Sequence, residues 1–485
     1  MQNKFLQQNW FEIILVAAVM AVHLYAATSD AHNFPANWFT RDDAYYYFKV
    51  AENLTEGHGL TFDGFNPTNG YHPLWMLVNI PIFALARFDL ILPLRILLLV
   101  QGALSAGTAL LIYRIIRRTF SEPLSILAAC WWAFEPYIHN TMYEYGLETG
   151  LASFTVALLL YQLYRFERTW REYPPSRGRI ASLAVFSLLA LFSRLDLVFL
   201  ALLAGAWIIL RGTQLRLFLP LDMLLAAAAV LGAFTFRLGV RDYYQYTLPA
   251  IAMIAISVIT KVGLYYLLGL YNGFHTRSFR WLLGRVTIAV TGSSILIGGI
   301  MLAAPSIVGT FPRSVLAYDW LLNLVGMIAL RALARSFSQN SREAGNSPIS
   351  MLKARGRRWV EEGLLYFSVL GIPLGLYMLF NKLTFGILMP VSGQIKRWWG
   401  SESMRAYGGP ARGPLAFWGI DMGADYNAWM PLTRWLRQLS EKITEWAHLY
   451  RSDEAYTVLV LLTCILVLAV FMIDRRKFLE RRGQN

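Results

Sequence analysis

The feature that most limits the fold of this chain is a series of long apolar runs separated by short polar segments. A helix needs about 20 apolar residues to cross the ~30 Å hydrocarbon layer of a bilayer, and it satisfies its backbone polar groups internally. Such runs recur throughout the 485 residues, of which 56% are hydrophobic and only 15% charged. The sequence therefore predicts an all-α, polytopic membrane protein.

Twelve of these runs are predicted membrane spans. They are 10–28, 93–113, 123–138, 148–165, 180–193, 195–211, 216–236, 248–271, 284–305, 315–333, 359–380 and 455–473. The run 72–88 is also apolar. If it crossed the membrane, the basic cluster 114–118 and the amino terminus would lie on opposite sides, whereas basic clusters are expected on the cytoplasmic side. We therefore expect 72–88 to lie along the outer membrane surface as a juxtamembrane helix, with Trp75 at headgroup depth.

The charge pattern describes topology and excludes a nucleic-acid partner. The net charge is +14, but the basic residues fall in short clusters between apolar runs, as expected for cytoplasmic loops. Both cysteines, Cys130 and Cys464, lie inside apolar runs, so no disulfide framework is implied. The first run has no convincing cleavage site after it, and we expect it to be retained as a helix.

This topology divides the chain into three predicted parts. Residues 1–380 form a transmembrane module that includes a large external loop, 29–92, and a short one, 139–147. Residues 381–454 form a small external cap, and residues 455–485 form the last span with a basic cytoplasmic tail. Long loops beside a bundle of spans are where function is expected.

The first external loop carries two adjacent acids, Asp42 and Asp43, at the start of the predicted helix 41–56. Its apolar face is formed by Ala44, Tyr47, Phe48, Ala51 and Leu54, at helical spacing. The acids have two interpretations. Asp43 has the spacing of a capping box with Thr40, and any acid in a first turn is stabilised by the helix dipole. Alternatively, a carboxylate held near the bilayer surface serves as a general base or binds a divalent cation.

The block RDDAYYYFKVAENLTEGHGLTFDGFNPTNGYHPLW, residues 41–75, resembles the first external loop of the GT-C glycosyltransferases. It is most similar to the branch that contains terminal arabinofuranosyltransferases, and more distantly to protein O-mannosyltransferases and lipid A aminoarabinose transferases. The resemblance implies a GT-C-type helical bundle in the bacterial plasma membrane that builds the cell envelope. It also implies inverting transfer of a sugar from a polyprenyl phosphate to an acceptor hydroxyl at the periplasmic or extracellular face.

The resemblance continues in three later segments. YGLETGL, 145–151, implies that Glu148 is an acid of the active site. The helix dipole would also stabilise an acid at the start of a helix, whatever its function. FSRLDLVFL, 192–200, contributes Arg194 and Asp196, which an internal ion pair would explain equally well. NKLTFGILMPVSGQIKRWWG, 381–400, departs from the family's Pro-Asn-Thr at 390–392. It contains the basic pair Lys396 and Arg397, whose charge would also be explained by anchoring to lipid headgroups.

The implied roles follow from this set. The donor phosphate is expected to meet Lys396, Arg397 and Arg194, and Asp42 is preferred over Asp43 as the base. Glu148 is expected to position the acceptor or a metal ion. The other expected contributors are two histidines that position acceptor or metal and three supporting side chains: His58, His72, Asp196, Tyr46 and Tyr71.

A divalent metal ion is a candidate cofactor, and none is certain. The transferred sugar is left open, as is whether the acceptor is a glycan, a protein or a lipid. A transporter or flippase of lipid-linked sugars is the main alternative, and a scaffold without activity is a third. The chain has no pair of Gly/Pro-interrupted spans at equivalent positions in two halves, as many transporters have.

Overall fold

In the computed structural model, the residues described are 2–238, 246–271, 278–337, 348–395, 429–448, 452 and 454–467. They are helical almost throughout and contain no strand beyond one isolated bridge, Thr61 to Pro67. The helices are α1 Gln2–Thr28, α2 Phe34–Asn37, α3 Asp42–Glu56, α4 Pro73–Leu85, α5 Leu92–Arg117, α6 Glu122–Phe134, α7 Pro136–His139, α8 Thr149–Thr169, α9 Arg177–Ser193, α10 Val198–Ile209, α11 Leu215–Leu238, α12 Thr247–Leu267, α13 Phe279–Ala303, α14 Pro305–Val308, α15 Ser314–Phe337, α16 Pro348–Phe385, α17 Leu432–Trp446 and α18 Glu454–Val467.

The described helices confirm an all-α, multi-pass membrane protein, but the count of twelve spans is not confirmed. Seven of them are long and apolar enough to cross a bilayer, namely Asn9–Thr28, Leu92–Arg117, Leu215–Leu238, Leu248–Leu267, Phe279–Ala303, Ser314–Ala334 and Leu352–Phe385. A helix pair bent by 105°, Pro136–Glu144 followed by Thr149–Thr169, forms either a broken eighth span or a re-entrant loop. Three of the other predicted spans coincide with helices of fewer than 18 residues, namely α6, α9 and α10.

The chain forms two compact units, of which the first contains Met1–Ala201 and Val369–Asn485. Within it, α5 packs against α1, α6 and α8. Two glycines allow close approach on α5: a Cβ at Gly102 would lie 2.7 Å from the His23 Cβ, and one at Gly107 would lie 2.7 Å from the Phe154 ring. This unit holds the whole first external loop.

The second unit, Leu202–Ser368, is built mainly from α11, α12, α13 and α15. Two fully buried ion pairs join its helices. Lys261 Nζ lies 2.8 Å from both carboxylate oxygens of Asp319, and the Arg331 guanidinium binds Asp222 bidentately at 3.0 and 2.6 Å. The sequence analysis did not single out these residues, although a lone charge inside an apolar run is a recognisable signal.

The two predicted helices of the first external loop are present as α3 and α4. The apolar face of α3 packs inward, with Ala44, Tyr47, Phe48 and Ala51 all buried. α4 begins at Pro73 and contains Pro81. The Trp75 side chain is fully buried in the core, and its indole nitrogen donates to the Gly146 carbonyl at 3.2 Å.

Candidate functional site

The two adjacent acids are exposed at the start of α3. Arg41 is the N-cap residue and no side chain caps the helix, so the capping box of Thr40 and Asp43 does not form. Instead, one Asp42 carboxylate oxygen accepts the Asp43 backbone N–H at 3.0 Å. The Asp43 carboxylate has no partner among the residues that the structure describes. Both side chains are therefore accessible for chemistry.

A buried carboxylate, Glu148, lies near this helix and is held by three donors. The Tyr47 hydroxyl donates to Oε2 at 3.1 Å, and Arg194 Nη1 donates to Oε1 at 3.2 Å. His72 Nε2 lies 3.5 Å from Oε1. The Glu148 side chain is only 9% exposed. The structure thus brings Tyr47, His72, Glu148, Arg194 and Asp196 together, and we refer to these five residues as the Glu148 cluster.

The surrounding bonds indicate the hydrogen positions in the cluster. His72 Nδ1 accepts the Leu195 backbone N–H at 3.3 Å, so the neutral ring carries its hydrogen on Nε2, facing Glu148. The Tyr47 hydroxyl oxygen accepts the His72 backbone N–H at 3.0 Å. Burial, and then the Glu148 charge, raise the pKa of Tyr47 well above its ordinary value. Tyr47 therefore remains a neutral donor to Glu148.

Arg194 is shared between two acids. Besides its bond to Glu148, it binds Asp196 bidentately, with Nε–Oδ1 and Nη2–Oδ2 both 3.1 Å. The ion pair considered in the sequence analysis is thus present, and it also reaches Glu148. The single guanidinium group is already shared between two carboxylates, so Arg194 is better suited to positioning Glu148 than to binding a donor phosphate.

The backbone before Glu148 is fixed by tight packing. Gly146 has φ +69°, and a Cβ there would lie 2.5 Å from Phe39 Cδ1. Gln101 Nε2 donates to the Leu147 carbonyl at 3.1 Å, and the Trp75 indole binds Gly146 as described. Only glycine adopts this conformation at that distance without strain. The turn is therefore fixed by Phe39, by Trp75 of α4 and by Gln101 of α5, which places Glu148 beside α3.

The predicted supporting side chains Tyr46 and Tyr71 make contacts within the protein. Tyr46 stacks on Phe62 with centroids 5.4 Å apart, and its hydroxyl contacts Thr68. Tyr71 is 6% exposed, and burial raises the pKa of its hydroxyl. Tyr47 is also buried. Neither buried ring has an open face for a sugar in this arrangement.

His58 is not part of the Glu148 cluster. His58 is exposed in the turn that follows α3, while Asp42 begins that helix. The 15 residues of α3 separate the two by about 22 Å. Lys396 and Arg397 lie outside the described residues. The preceding segment contacts the first external loop, because the Val391 N–H donates to Asn69 Oδ1 at 3.1 Å.

A second polar cluster lies at the start of the bent pair. His23 Nδ1 is 2.9 Å from the Leu98 carbonyl oxygen, and its Nε2 is 3.2 Å from His139 Nε2. His139 Nδ1 is 3.1 Å from Glu144 Oε1, and Asn140 also donates to that carboxylate. Residues Asn140–Glu144 form a π-helical turn, a feature found often at functional sites.

Among the described residues, no group of three or more His, Cys, Asp or Glu side chains is arranged to hold a metal ion. The predicted metal-positioning residues are divided, with His72 and Glu148 together and His58 at the far end of α3. No protein-family model matches the chain, and no curated protein matches it. The site must therefore be interpreted from its own geometry.

Proposed function

We propose that this protein is an inverting, polyprenyl-phosphate-dependent glycosyltransferase of the GT-C type. The observation that carries the proposal is a contrast between carboxylates. Asp42 and Asp43 are exposed at the start of α3. Glu148 is buried and already accepts hydrogen bonds from Tyr47 and Arg194. A general base must be accessible to the hydroxyl that it deprotonates, and the residues around it must hold the site in a fixed geometry. The exposed acids and the buried network beside them meet these two requirements.

Each acid receives a different role from its surroundings. The Glu148 oxygens already accept hydrogen bonds from Tyr47 and Arg194 and lie beside His72, so we assign Glu148 to positioning the acceptor and not to accepting the proton. Asp42 is our proposed base, following the resemblance. Asp43 shares a helix face with Tyr47, one turn further along, and would orient the acceptor or bind a cation.

The proposed reaction is a single displacement. Asp42 takes the proton of the acceptor hydroxyl as its oxygen attacks the anomeric carbon, and the bond from that carbon to the phosphate oxygen breaks. Polyprenyl phosphate leaves with the bonding electrons and the anomeric centre is inverted. We assign the leaving phosphate to Lys396 and Arg397, which follow by a few residues the Val391 that binds the first external loop.

The proposal is tested by turnover with a panel of polyprenyl-phosphate pentoses and hexoses. Purified protein is incubated with each donor and candidate glycan, peptide and lipid acceptors, and mass spectrometry detects released polyprenyl phosphate. Because a general base contributes about 10²–10⁴ in rate, Asp42→Asn is expected to lower turnover by that factor. The matched control is Asp30→Asn, an exposed acid of the same loop that pairs with His32 at 2.8 Å.

Two results would overturn the proposal. Full turnover in both Asp42→Asn and Asp43→Asn would exclude a base at the start of α3. Movement of an intact lipid-linked sugar across a liposome membrane, without cleavage of its phosphate bond, would identify a transporter or flippase. Equal turnover loss in Asp30→Asn would show that the effect is not specific to the acidic pair.

A further inference from the structure

A basic cavity of about 510 Å³ lies at the end of α8 opposite Glu148. Glu148 is the N-cap of α8, whereas the cavity is lined by residues that include Thr169, the last residue of that helix. The 21 residues of α8 extend about 31 Å, close to the thickness of the hydrocarbon layer. The cavity and the Glu148 cluster therefore lie at opposite faces of the membrane if α8 crosses it.

The cavity wall carries a strong excess of positive charge. It contains Arg118, Arg165, Arg168 and Arg179 but only one acid, Glu172, which leaves a net charge of +3 (4 − 1). None of the four arginines forms an ion pair with a carboxylate among the described residues. Arg118, Arg165 and Arg168 are exposed, so an anion from outside the protein can reach them.

Acids close to the cavity are already engaged elsewhere. Glu167 lies 3.7 Å from Arg171, and Glu122 lies 3.5 Å from Arg117. Two of the cavity arginines are also held in place by contacts that leave their charge unbalanced. Arg179 Nη2 donates to the Arg165 carbonyl at 3.2 Å, and the Arg118 guanidinium lies 5.7 Å from the Tyr161 ring centroid.

We propose that this cavity binds the phosphate headgroup of an anionic membrane lipid. Planar guanidinium groups bind phosphate oxygens bidentately, and basic pockets at the ends of membrane helices are suited to lipid headgroups. The neighbouring surface suits the acyl chains. Leu160 on α8 is 46% exposed and Val185 on α9 is 44% exposed, each toward the membrane interior from the cavity. A soluble phosphate would use only the arginines.

This inference is independent of the proposed glycosyl transfer, since it concerns the other end of α8. By the distribution of basic clusters, this end faces the cytoplasm. The bound lipid would be a component of the cytoplasmic leaflet that anchors the ends of α5, α8 and α9.

The test measures which lipid the purified protein retains. The protein is placed in nanodiscs of mixed phosphatidylglycerol and phosphatidylcholine, extracted into a neutral detergent and analysed by native mass spectrometry. Wild type is expected to retain phosphatidylglycerol preferentially. The variant Arg165→Gln/Arg168→Gln is expected to lower that retention by about tenfold or more, because two charge-assisted contacts are lost. Arg171→Gln, which removes a nearby arginine outside the cavity, is expected to behave as wild type.

A second variant keeps the test decisive if the double variant does not fold. Ser182→Glu places a carboxylate at the cavity wall without removing an arginine, and it is expected to release the lipid as well. Equal retention of both lipids by wild type would overturn the proposal, as would an equal loss in Arg171→Gln. Thermal stabilisation by inorganic pyrophosphate, without selective lipid retention, would identify a soluble phosphate ligand and would also overturn it.

Discussion

The bond between Tyr47 and Glu148 is the contact whose energy can be measured most directly. In Tyr47→Phe the ring remains, but the hydroxyl that donates to Glu148 at 3.1 Å and accepts the His72 N–H at 3.0 Å is lost. A hydrogen bond to a charged group contributes about 1.5–3 kcal/mol, and an orphaned buried donor costs about 1–3 kcal/mol. Since the two terms overlap, we expect Tyr47→Phe to lower the free energy of unfolding by about 2–4 kcal/mol.

A double-mutant cycle with Glu148→Gln isolates the charged part of this bond. Glutamine keeps an acceptor oxygen but has no charge. The loss of the Tyr47 hydroxyl should therefore destabilise Glu148→Gln by about 1–2 kcal/mol less than it destabilises the wild type. The four proteins are compared by reversible denaturant unfolding in mixed micelles, monitored by circular dichroism. Tyr45→Phe is the control, because the Tyr45 ring is 37% exposed and its hydroxyl has no partner in the described part of the chain.

The reasoning would be refuted by a coupling energy below about 0.5 kcal/mol while both single variants remain folded. That result would mean that the Tyr47 hydroxyl and the Glu148 carboxylate do not bind each other in the protein. It would also remove the argument that the Glu148 oxygens are already engaged by donors and are therefore not available to take the acceptor proton.

Three further predictions concern buried charge, backbone conformation and pH. Asp222→Asn should destabilise the protein by about 3–5 kcal/mol because it leaves Arg331 charged and buried, whereas Asp222→Leu combined with Arg331→Met should be much milder, as measured by thermal unfolding. Gly146→Ala should lower both thermal stability and turnover, because the residue has φ +69° and its Cβ would lie 2.5 Å from Phe39 Cδ1. Backbone and side-chain N–H donors lower the pKa of Asp63 from 3.8 to about 2, so its stabilisation of the loop is full above pH 3.8 and is lost as the pH falls through about 2. Limited proteolysis of the loop across this pH range should show that loss in wild type but not in Asp63→Asn.

The local sequence pattern was sufficient to predict helices that have one apolar and one polar face. The apolar spacing in 41–56 predicted α3 and its buried side correctly, because helix periodicity is set by neighbours along the chain. The sequence did not indicate that the Trp75 side chain is buried, since an aromatic residue at a membrane surface and one in a protein core occur in the same apolar context. Only the tertiary contact with Gly146 distinguishes the two positions.

For the candidate site, the sequence indicated several members but not how they connect. Glu148, Arg194 and Asp196 were predicted through the family resemblance, and the structure brings them together with His72. The sequence placed Tyr47 on the apolar face of the helix 41–56. Its role as a donor to a residue 101 positions away depends on long-range packing, which a single sequence does not display.

The row formed by Leu98, His23, His139 and Glu144 links three separate elements of the first unit. His23 belongs to α1, its Nδ1 lies 2.9 Å from the Leu98 carbonyl oxygen on α5, and its Nε2 lies 3.2 Å from His139 Nε2 at the end of α7. Each imidazole in the row has a polar partner on both of its sides. An apolar replacement of either ring would therefore deprive two neighbouring polar groups of a partner at once and would weaken the contact between α1 and the start of the bent pair.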